Sequence, residues 1–152
     1  MSWSRRRLRD DVPIIRQDMQ SFLKVLLAMH QPKQILEVGT AVGFSALLMA
    51  ANTEMCHITT IEKYEKRIPV AKENFQKSGM GHRITLLEGD ALAIMQELTG
   101  TYDMIFMDAA KGQYIHFLPD ALRLLRTGGI LISDNVLQDG DIIESHYAVE
   151  RR

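Results

Sequence analysis

The sequence predicts an α/β domain built on a doubly wound parallel sheet. Short apolar runs of strand length alternate with longer stretches whose apolar residues repeat at helical spacing, so strand and helix take turns along the chain. Glycine-bearing turns stand between many of them, and acidic residues recur directly after the apolar runs. In open sheets of this kind, ligands bind at the carboxyl ends of the strands.

Each element follows from local pattern. Residues 16–30 carry Met19, Phe22, Leu23, Leu26, Leu27 and His30 on one helical stripe, and Pro32 marks the end. Residues 35–38 read as a short buried strand, 39–43 as a tight turn and 44–52 as a helix. Residues 57–61 are strand-like, ending at Glu62. Tyr64, Ile68, Ala71 and Phe75 then form a helical stripe closed by Ser78-Gly79, with Pro69 expected to bend that helix or shorten its start. The pattern repeats with a strand over 83–87, a helix over 91–98 and a strand over 103–107. Tyr114, Phe117, Leu118, Ala121, Leu122 and Leu125 form the last stripe, with Pro119 inside it as a second irregularity. Thr127-Gly128-Gly129 is a turn, and 130–133 a fifth strand. Right-handed crossovers between parallel strands make the sheet doubly wound, in order 3-2-1-4-5.

Bulk properties narrow the function. With 152 residues the chain is one domain with a sizeable core. The formal net charge of -1 gives no overall basic field that would demand nucleic acid. One cysteine, Cys56, excludes an intramolecular disulfide and fits a reducing, cytoplasmic setting. No apolar run approaches the roughly 20 residues of a membrane span, so no membrane partner is expected. Residues 1–11 form a basic tail that leads into no apolar segment and is not a secretory signal, leaving 12–152 as the folded domain. Arg5, Arg6, Arg7 and Arg9, with Arg151-Arg152, read either as a solvated tail or as contacts to RNA phosphates. The five histidines show no metal-ligand spacing, and most of the nine methionines fall on apolar stripes.

Chemistry gathers at the strand ends. After strand one stands Glu37-Val38-Gly39-Thr40-Ala41-Val42-Gly43-Phe44-Ser45, where two glycines allow a tight turn and a close ligand approach, and the next helix offers free N–H groups. A plain strand-to-helix turn is the alternative. Ala41 replaces the second glycine of a dinucleotide fingerprint, which disfavours an NAD-dependent oxidoreductase. Glu62, about 20 residues beyond the turn, is placed to accept from ribose hydroxyls, the alternative being a solvated surface acid. Strand three ends in Glu88-Gly89-Asp90-Ala91, where Asp90 either caps the next helix or accepts from an adenine amino group, or does both. Strands four and five end in Asp108-Ala109-Ala110-Lys111 and Asp134-Asn135. As neighbours they would bring Asp108, Asp134 and Asn135 together as hard oxygen ligands suited to Mg²⁺, and two such carboxylates repel without a cation. Separate turn or helix caps are the alternative.

Together these motifs resemble the metal-dependent O-methyltransferases, the group containing catechol and caffeoyl-CoA O-methyltransferases. The matching pieces are Val12-Pro13-Ile14-Ile15, the Glu37-to-Ser45 turn, Glu62, Gly89-Asp90-Ala91, Asp108-Ala109-Ala110-Lys111 and Asp134-Asn135-Val136, spanning about 12–140. Asp108 to Tyr114 and Asp134 to Leu137 look most like the bacterial branch that methylates 5-hydroxyuridine at the tRNA wobble position. The resemblance implies a Rossmann-like S-adenosylmethionine (SAM) dependent methyltransferase fold. It implies that Ile15, in the Ile14-Ile15 region, covers the cofactor and that Gly39 and Ser45 hold its methionine part. Glu62 would hold the ribose, and Asp90 with Ala91 the adenine. Glu37, Thr40 and Gly89 belong to the same cofactor-binding set. Asp108 would serve cofactor and metal, and Asp134 and Asn135 would complete a site for Mg²⁺ or another hard divalent cation. Lys111, one helical turn after Asp108, would receive or relay the acceptor's proton, the alternatives being a surface lysine or a cation balancing the carboxylates.

The expected activity is methyl transfer from SAM to a hydroxyl oxygen, in tRNA or in a small hydroxylated, catechol-like compound. In the family the sheet has two further strands forming a C-terminal β-hairpin, and here that hairpin is expected to be lacking. Strand five would then be an exposed edge, giving lower stability or a homodimer paired across it. A SAM-binding module left inactive by truncation is the non-enzyme alternative.

Overall fold

A computed structural model describes residues 15–108 and 113–134. Its elements, in chain order, are α1 (Gln17–His30), β1 (Gln34–Val38), α2 (Phe44–Ala51), β2 (His57–Glu62), α3 (Ile68–Ser78), a 3-10 turn (Gly81–Arg83), β3 (Ile84–Glu88), α4 (Ala91–Glu97), β4 (Tyr102–Met107), α5 (Tyr114–Leu124) and β5 (Leu125–Ser133). The strands form one parallel sheet in the order β3-β2-β1-β4-β5, as the alternation of elements predicts.

The period-two alternation of a strand sorts its residues between two cores. Ile35, Ile58, Met104, Phe106 and Ile132 pack with Leu23 and Leu27 of α1, Ala46 and Met49 of α2, and Ala71 and Phe75 of α3. Leu36, Val38, Ile61, Ile105 and Met107 pack on the opposite face against Met95 of α4 and Phe117, Ala121 and Leu124 of α5. Helices therefore cover both faces, which is why β4 reads as a continuous apolar run over 104–107.

Several local expectations are corrected. Phe22 of α1 and Leu118 and Leu122 of α5 face outward, at 53%, 40% and 57% exposure, so the buried helical stripes are narrower than the apolar pattern. Tyr64 precedes α3 instead of lying on its stripe. Pro69 in the first turn fixes the start at Ile68, where its missing N–H costs nothing. Pro119 sits inside α5 without ending it. Pairing of β5 begins at Leu125 opposite Tyr102 and resumes with Ile130 opposite Met104, so Thr127-Gly128-Gly129 is a bulge within the strand, with Gly128 at φ +79°. Among the described residues no helix is long and apolar enough to cross a membrane. The basic tail and the residues after β5, on which the expectation about the hairpin bears, lie outside the described residues.

At the amino end of the sheet, Asp103 ties neighbouring strands together. Its carboxylate accepts the backbone N–H groups of Lys33 (2.7 Å) and Gln34 (2.8 Å) and pairs with Arg126 (2.5 Å). Burial works against the charge there, but these donors and the guanidinium outweigh it and hold the carboxyl below its ordinary pKa. Arg83 plays a similar part between α2 and β3, donating to the carbonyls of Ala50, Thr53 and Cys56.

Candidate functional site

The carboxyl ends of β1 to β4 open onto a cleft of about 240 Å³. Six residues singled out in the sequence line it: Gly39, Glu62, Gly89, Asp90, Ala91 and Asp108. They come from four different strand ends, which only the parallel topology brings together.

The turn after β1 is held from three sides. The N–H groups of Gly39 and Thr40 both donate to the Ile61 carbonyl, carrying the β1–β2 pairing past the end of the strand. Gly39, at φ +101°, lies so close to the Asp108 carbonyl that a Cβ would collide with it. Gly43, at φ +88°, lies over Phe75, whose ring would meet a Cβ at 2.5 Å. From α3, the Asn74 amide donates to the Val42 carbonyl at 2.7 Å. Between the glycines, Ala41 adopts φ +49°, a left-handed conformation rare for a residue with a side chain.

Glu62 explains how Ala41 is held there. One carboxylate oxygen accepts the Ala41 N–H at 2.8 Å, and the other accepts those of Lys63 (3.0 Å) and Tyr64 (2.9 Å). The side chain is buried and faces the cleft, so it is not a solvated surface acid. Asp90 is the N-cap of α4, accepting from the Ala93 N–H at 3.2 Å, and remains exposed on its outer side.

Glu37, Thr40 and Ser45 lie behind the lining, not in it. Glu37 is fully buried, and its carboxylate accepts from the Ser45 hydroxyl on one oxygen and from Thr60 Oγ1 (2.6 Å) on the other. Thr60 in turn is 2.6 Å from the Thr40 hydroxyl. Burial pushes the Glu37 carboxyl up to about 7 despite those hydrogen bonds, with smaller contributions from the charges of Asp108 and Glu62.

Asp108 and Asp134 follow adjacent strands, their N–H groups donating to Val38 and Met107 carbonyls. The Asp108 carboxyl is raised to about 6, first by burial and then by the charge of Asp134, with Arg67 opposing. Tyr114 Oη donates to the Asp134 carbonyl, fixing the end of β5 against the start of α5. Two hard oxygen donors thus share one strand-end neighbourhood. Among the described residues no group of three or more His, Cys, Asp or Glu forms a ready-made metal cluster.

The remaining assignments fall elsewhere. Ile15 is buried in the core with α1, α2 and α3 and is not among the residues lining the cleft. Lys111 and Asn135 lie outside the described residues. Sequence reading missed Lys63, Arg67, Gln113 and Phe117 in the lining, and Thr60 behind it. Thr60 left one trace: a polar residue within a strand buried on both faces needs a polar partner. Arg67 left none, because an arginine at the start of a helix is usually solvated.

A model of the O-methyltransferase family matches residues 7–152. A catechol O-methyltransferase of Niastella koreensis is 35% identical over 130 residues, covering 82% of this chain and 59% of that protein. The chain thus spans about three-fifths of the curated relatives' length. A Podospora anserina methyltransferase, solved with S-adenosylhomocysteine (SAH) bound, superposes with a TM-score of 0.82 at 34% identity, over 86% of this chain and 57% of that one. A Streptomyces achromogenes O-methyltransferase involved in tomaymycin synthesis, solved with SAM, gives 0.82 at 26% identity, over 92% and 66%. By its fold, its strand-end residues and this match along nearly its whole length, the chain belongs to the O-methyltransferase family.

Proposed function

We propose that the chain binds SAM in the strand-end cleft and transfers its methyl group to a hydroxyl oxygen, with a hard divalent cation at Asp108, Asp134 and Asn135. The observation that carries this reading is the convergence of Gly39, Glu62, Gly89, Asp90 and Asp108 on one cleft. The SAH and SAM bound in the Podospora and Streptomyces relatives support the choice of cofactor.

Each residue has a task that its surroundings suit. Both oxygens of Glu62 accept backbone N–H groups, and the acceptor capacity that three bonds leave, facing the cleft, suits a ribose hydroxyl. Asp90 has an exposed outer edge for an adenine amino group. Gly39 lets the turn pack against the Asp108 carbonyl, which a Cβ would prevent, and so keeps the two strand ends together on the cleft. Glu37, Thr40 and Ser45 support the turn that holds the methionine part, and Ile15 anchors the segment that covers it.

Methyl transfer is an in-line displacement. A lone pair of the acceptor oxygen forms the C–O bond while the C–S bond breaks, its electrons passing to sulfur to give neutral SAH. Alignment supplies much of the rate. Asp108 and Asp134 fit a cation because their carboxylates repel each other where they stand. Mg²⁺ or a similar ion, when bound, lowers the pKa of an acceptor hydroxyl and fixes its direction. Lys111 receives or relays the proton that the hydroxyl loses.

For the acceptor, Asp108 to Tyr114 and Asp134 to Leu137 favour 5-hydroxyuridine in tRNA, with the basic residues 5–9 as phosphate contacts. The curated relatives, a catechol and a caffeoyl-CoA O-methyltransferase among them, favour a small catechol-like compound instead. The test is transfer of labelled methyl from SAM into tRNA carrying 5-hydroxyuridine, and in parallel into a catechol, with Mg²⁺ and with a chelator. Mg²⁺-dependent label in tRNA establishes the first acceptor, and label in catechol alone establishes the second. Label that survives both the chelator and Asp134→Ala removes the metal from the reading. SAM binding without transfer to either acceptor leaves a different acceptor or an inactive SAM-binding module.

A further inference from the structure

We infer that Thr60, which does not reach the cleft, is a positioning residue for the cofactor: its hydroxyl joins Thr40 to Glu37 and so sets the turn on which the methionine part rests. This rests on the reading that the turn holds SAM.

The geometry makes Thr60 the junction of a buried chain. It lies in β2 opposite Glu37 in the parallel register, so both side chains point to the same face of the sheet. Glu37 and Thr60 are fully buried, and Thr40 and Ser45 are 1% and 6% exposed, so water does not replace any of these bonds. A hydroxyl has one hydrogen. Thr60 gives its hydrogen to Glu37 Oε1, so with the carboxylate ionised it can only accept from Thr40. Ser45 gives its own hydrogen to the other Glu37 oxygen. With Glu37 ionised, the chain runs in one direction, from Thr40 through Thr60 to Glu37, with Ser45 as the second donor. Through Glu37 and Thr60, side-chain bonds tie Thr40 in the turn to Ser45 in the first turn of α2, alongside the backbone bond from the Gly43 N–H to the Thr40 carbonyl. The groups that bear on Glu37 otherwise are the carboxylates of Asp108 and Glu62, neither of which donates a hydrogen to it.

The loss of Thr60 would leave a buried carboxylate oxygen without its donor and Thr40 without its acceptor. Thr60→Val keeps the shape and removes the hydroxyl, whereas Thr60→Ser keeps the hydroxyl. SAH binding is measured by calorimetry on the full chain, well below each variant's unfolding temperature. Thr60→Val should weaken SAH binding about tenfold or more, and Thr60→Ser should stay within about threefold of wild type. A purely structural role would lower the unfolding temperature of Thr60→Val while the folded protein bound SAH as before, and that result overturns the inference. Should Thr60→Val not fold, Thr60→Cys offers a side chain of similar size with only a weak donor, and wild-type affinity there overturns it equally. Failure of the wild-type chain to bind SAH refutes the underlying cofactor reading, and this inference falls with it. That outcome is distinct from wild-type binding that Thr60→Val leaves unchanged.

Discussion

Glu62 should stabilise the empty protein, apart from any contact with ribose. Its carboxylate accepts three backbone N–H groups, from Ala41, Lys63 and Tyr64, at 2.8 to 3.0 Å. Bonds to a charged acceptor are worth about 1.5–3 kcal/mol when dry, but this one stands at a cleft, where water can take over part of the work. We therefore assign about 1 kcal/mol to each. Against this, Glu62→Ala frees Ala41 from its left-handed conformation at φ +49°, recovering about 1 kcal/mol of strain. The net expectation is a loss of about 2 kcal/mol in the absence of ligand, or a fall in Tm of roughly 4–8 °C for a chain of this size. Urea titration of the ligand-free wild type and Glu62→Ala measures it directly. A difference under about 0.5 kcal/mol would refute the argument, because the turn would then be held by its glycines and by α3 alone. The same change should weaken SAH binding by more than the stability loss explains, since the turn and, on the proposed reading, the ribose ligand are lost together.

Other expectations follow from the same geometry. Glu37 has its folded pKa raised from 4.5 to about 7, so the folded chain keeps a proton that the unfolded chain releases. Its contribution is fully present below pH 4.5 and lost as the pH rises through 7, which makes ligand-free stability fall over that window by up to about 3 kcal/mol. Glu37→Gln should flatten this slope in urea titrations at pH 5 and pH 8, and an unchanged slope would show that Glu37 is not its source. Gly43→Ala should cost about 2 kcal/mol or more, because a Cβ meets Phe75 at 2.5 Å as well as an unfavourable φ, whereas Gly79→Ala, with open space around it, should cost about 1 kcal/mol. Equal thermal shifts for the two would dismiss the Phe75 contact. Asp103→Ala should cost about 2 kcal/mol yet leave SAH affinity unchanged, since its partners Lys33, Gln34 and Arg126 stand at the other end of the sheet. A change in affinity on calorimetry would mean that the two ends are coupled.

Most of the architecture was legible because it rests on periodicity. A strand buried on both faces leaves an apolar run, and a helix on a sheet leaves a stripe, so every element from α1 to β5 has its counterpart in the pattern. The strand order followed from handedness, and the strand ends then named six of the residues that line the cleft. What escaped depends on contacts between distant segments. Pattern cannot tell that Phe22 points outward while Leu23 is buried, since that is decided by where α1 packs. Thr60 and Arg67 carry no motif, and their significance arises only when β2 is laid beside β1 and the start of α3 beside Asp108. The bulge at Thr127-Gly128-Gly129 reads as a turn because both need the same glycine conformation.

The distribution of acids in this chain follows from what a parallel sheet offers its two ends. At the amino end, strands begin with N–H groups that lack partners, and Asp103 answers two of them and an arginine, so its charge is favoured and its carboxyl is lowered. At the carboxyl end, the strands finish around a cleft, with Asp108 half-buried in its lining, Glu37 buried behind it and Asp134 buried at the end of the neighbouring strand, and the carboxyls of Glu37 and Asp108 are raised. Packing alone gives no reason to keep such a group of acids, since buried like charges cost stability. Glu62 escapes this cost by accepting backbone donors, and Glu37 reduces it with two hydroxyls. At Asp108 the guanidinium of Arg67 opposes the rise that burial and the charge of Asp134 produce. On the proposed reading, an incoming positive group, whether a sulfonium or a metal ion, would relieve the repulsion between Asp108 and Asp134. That relief predicts that added Mg²⁺ or SAM should raise Tm more at pH 8 than at pH 5, because the Asp108 carboxyl, raised to about 6, is ionised at the higher value and largely protonated at the lower. Equal shifts at the two values would mean that the acids of the cleft do not hold the ligand through charge.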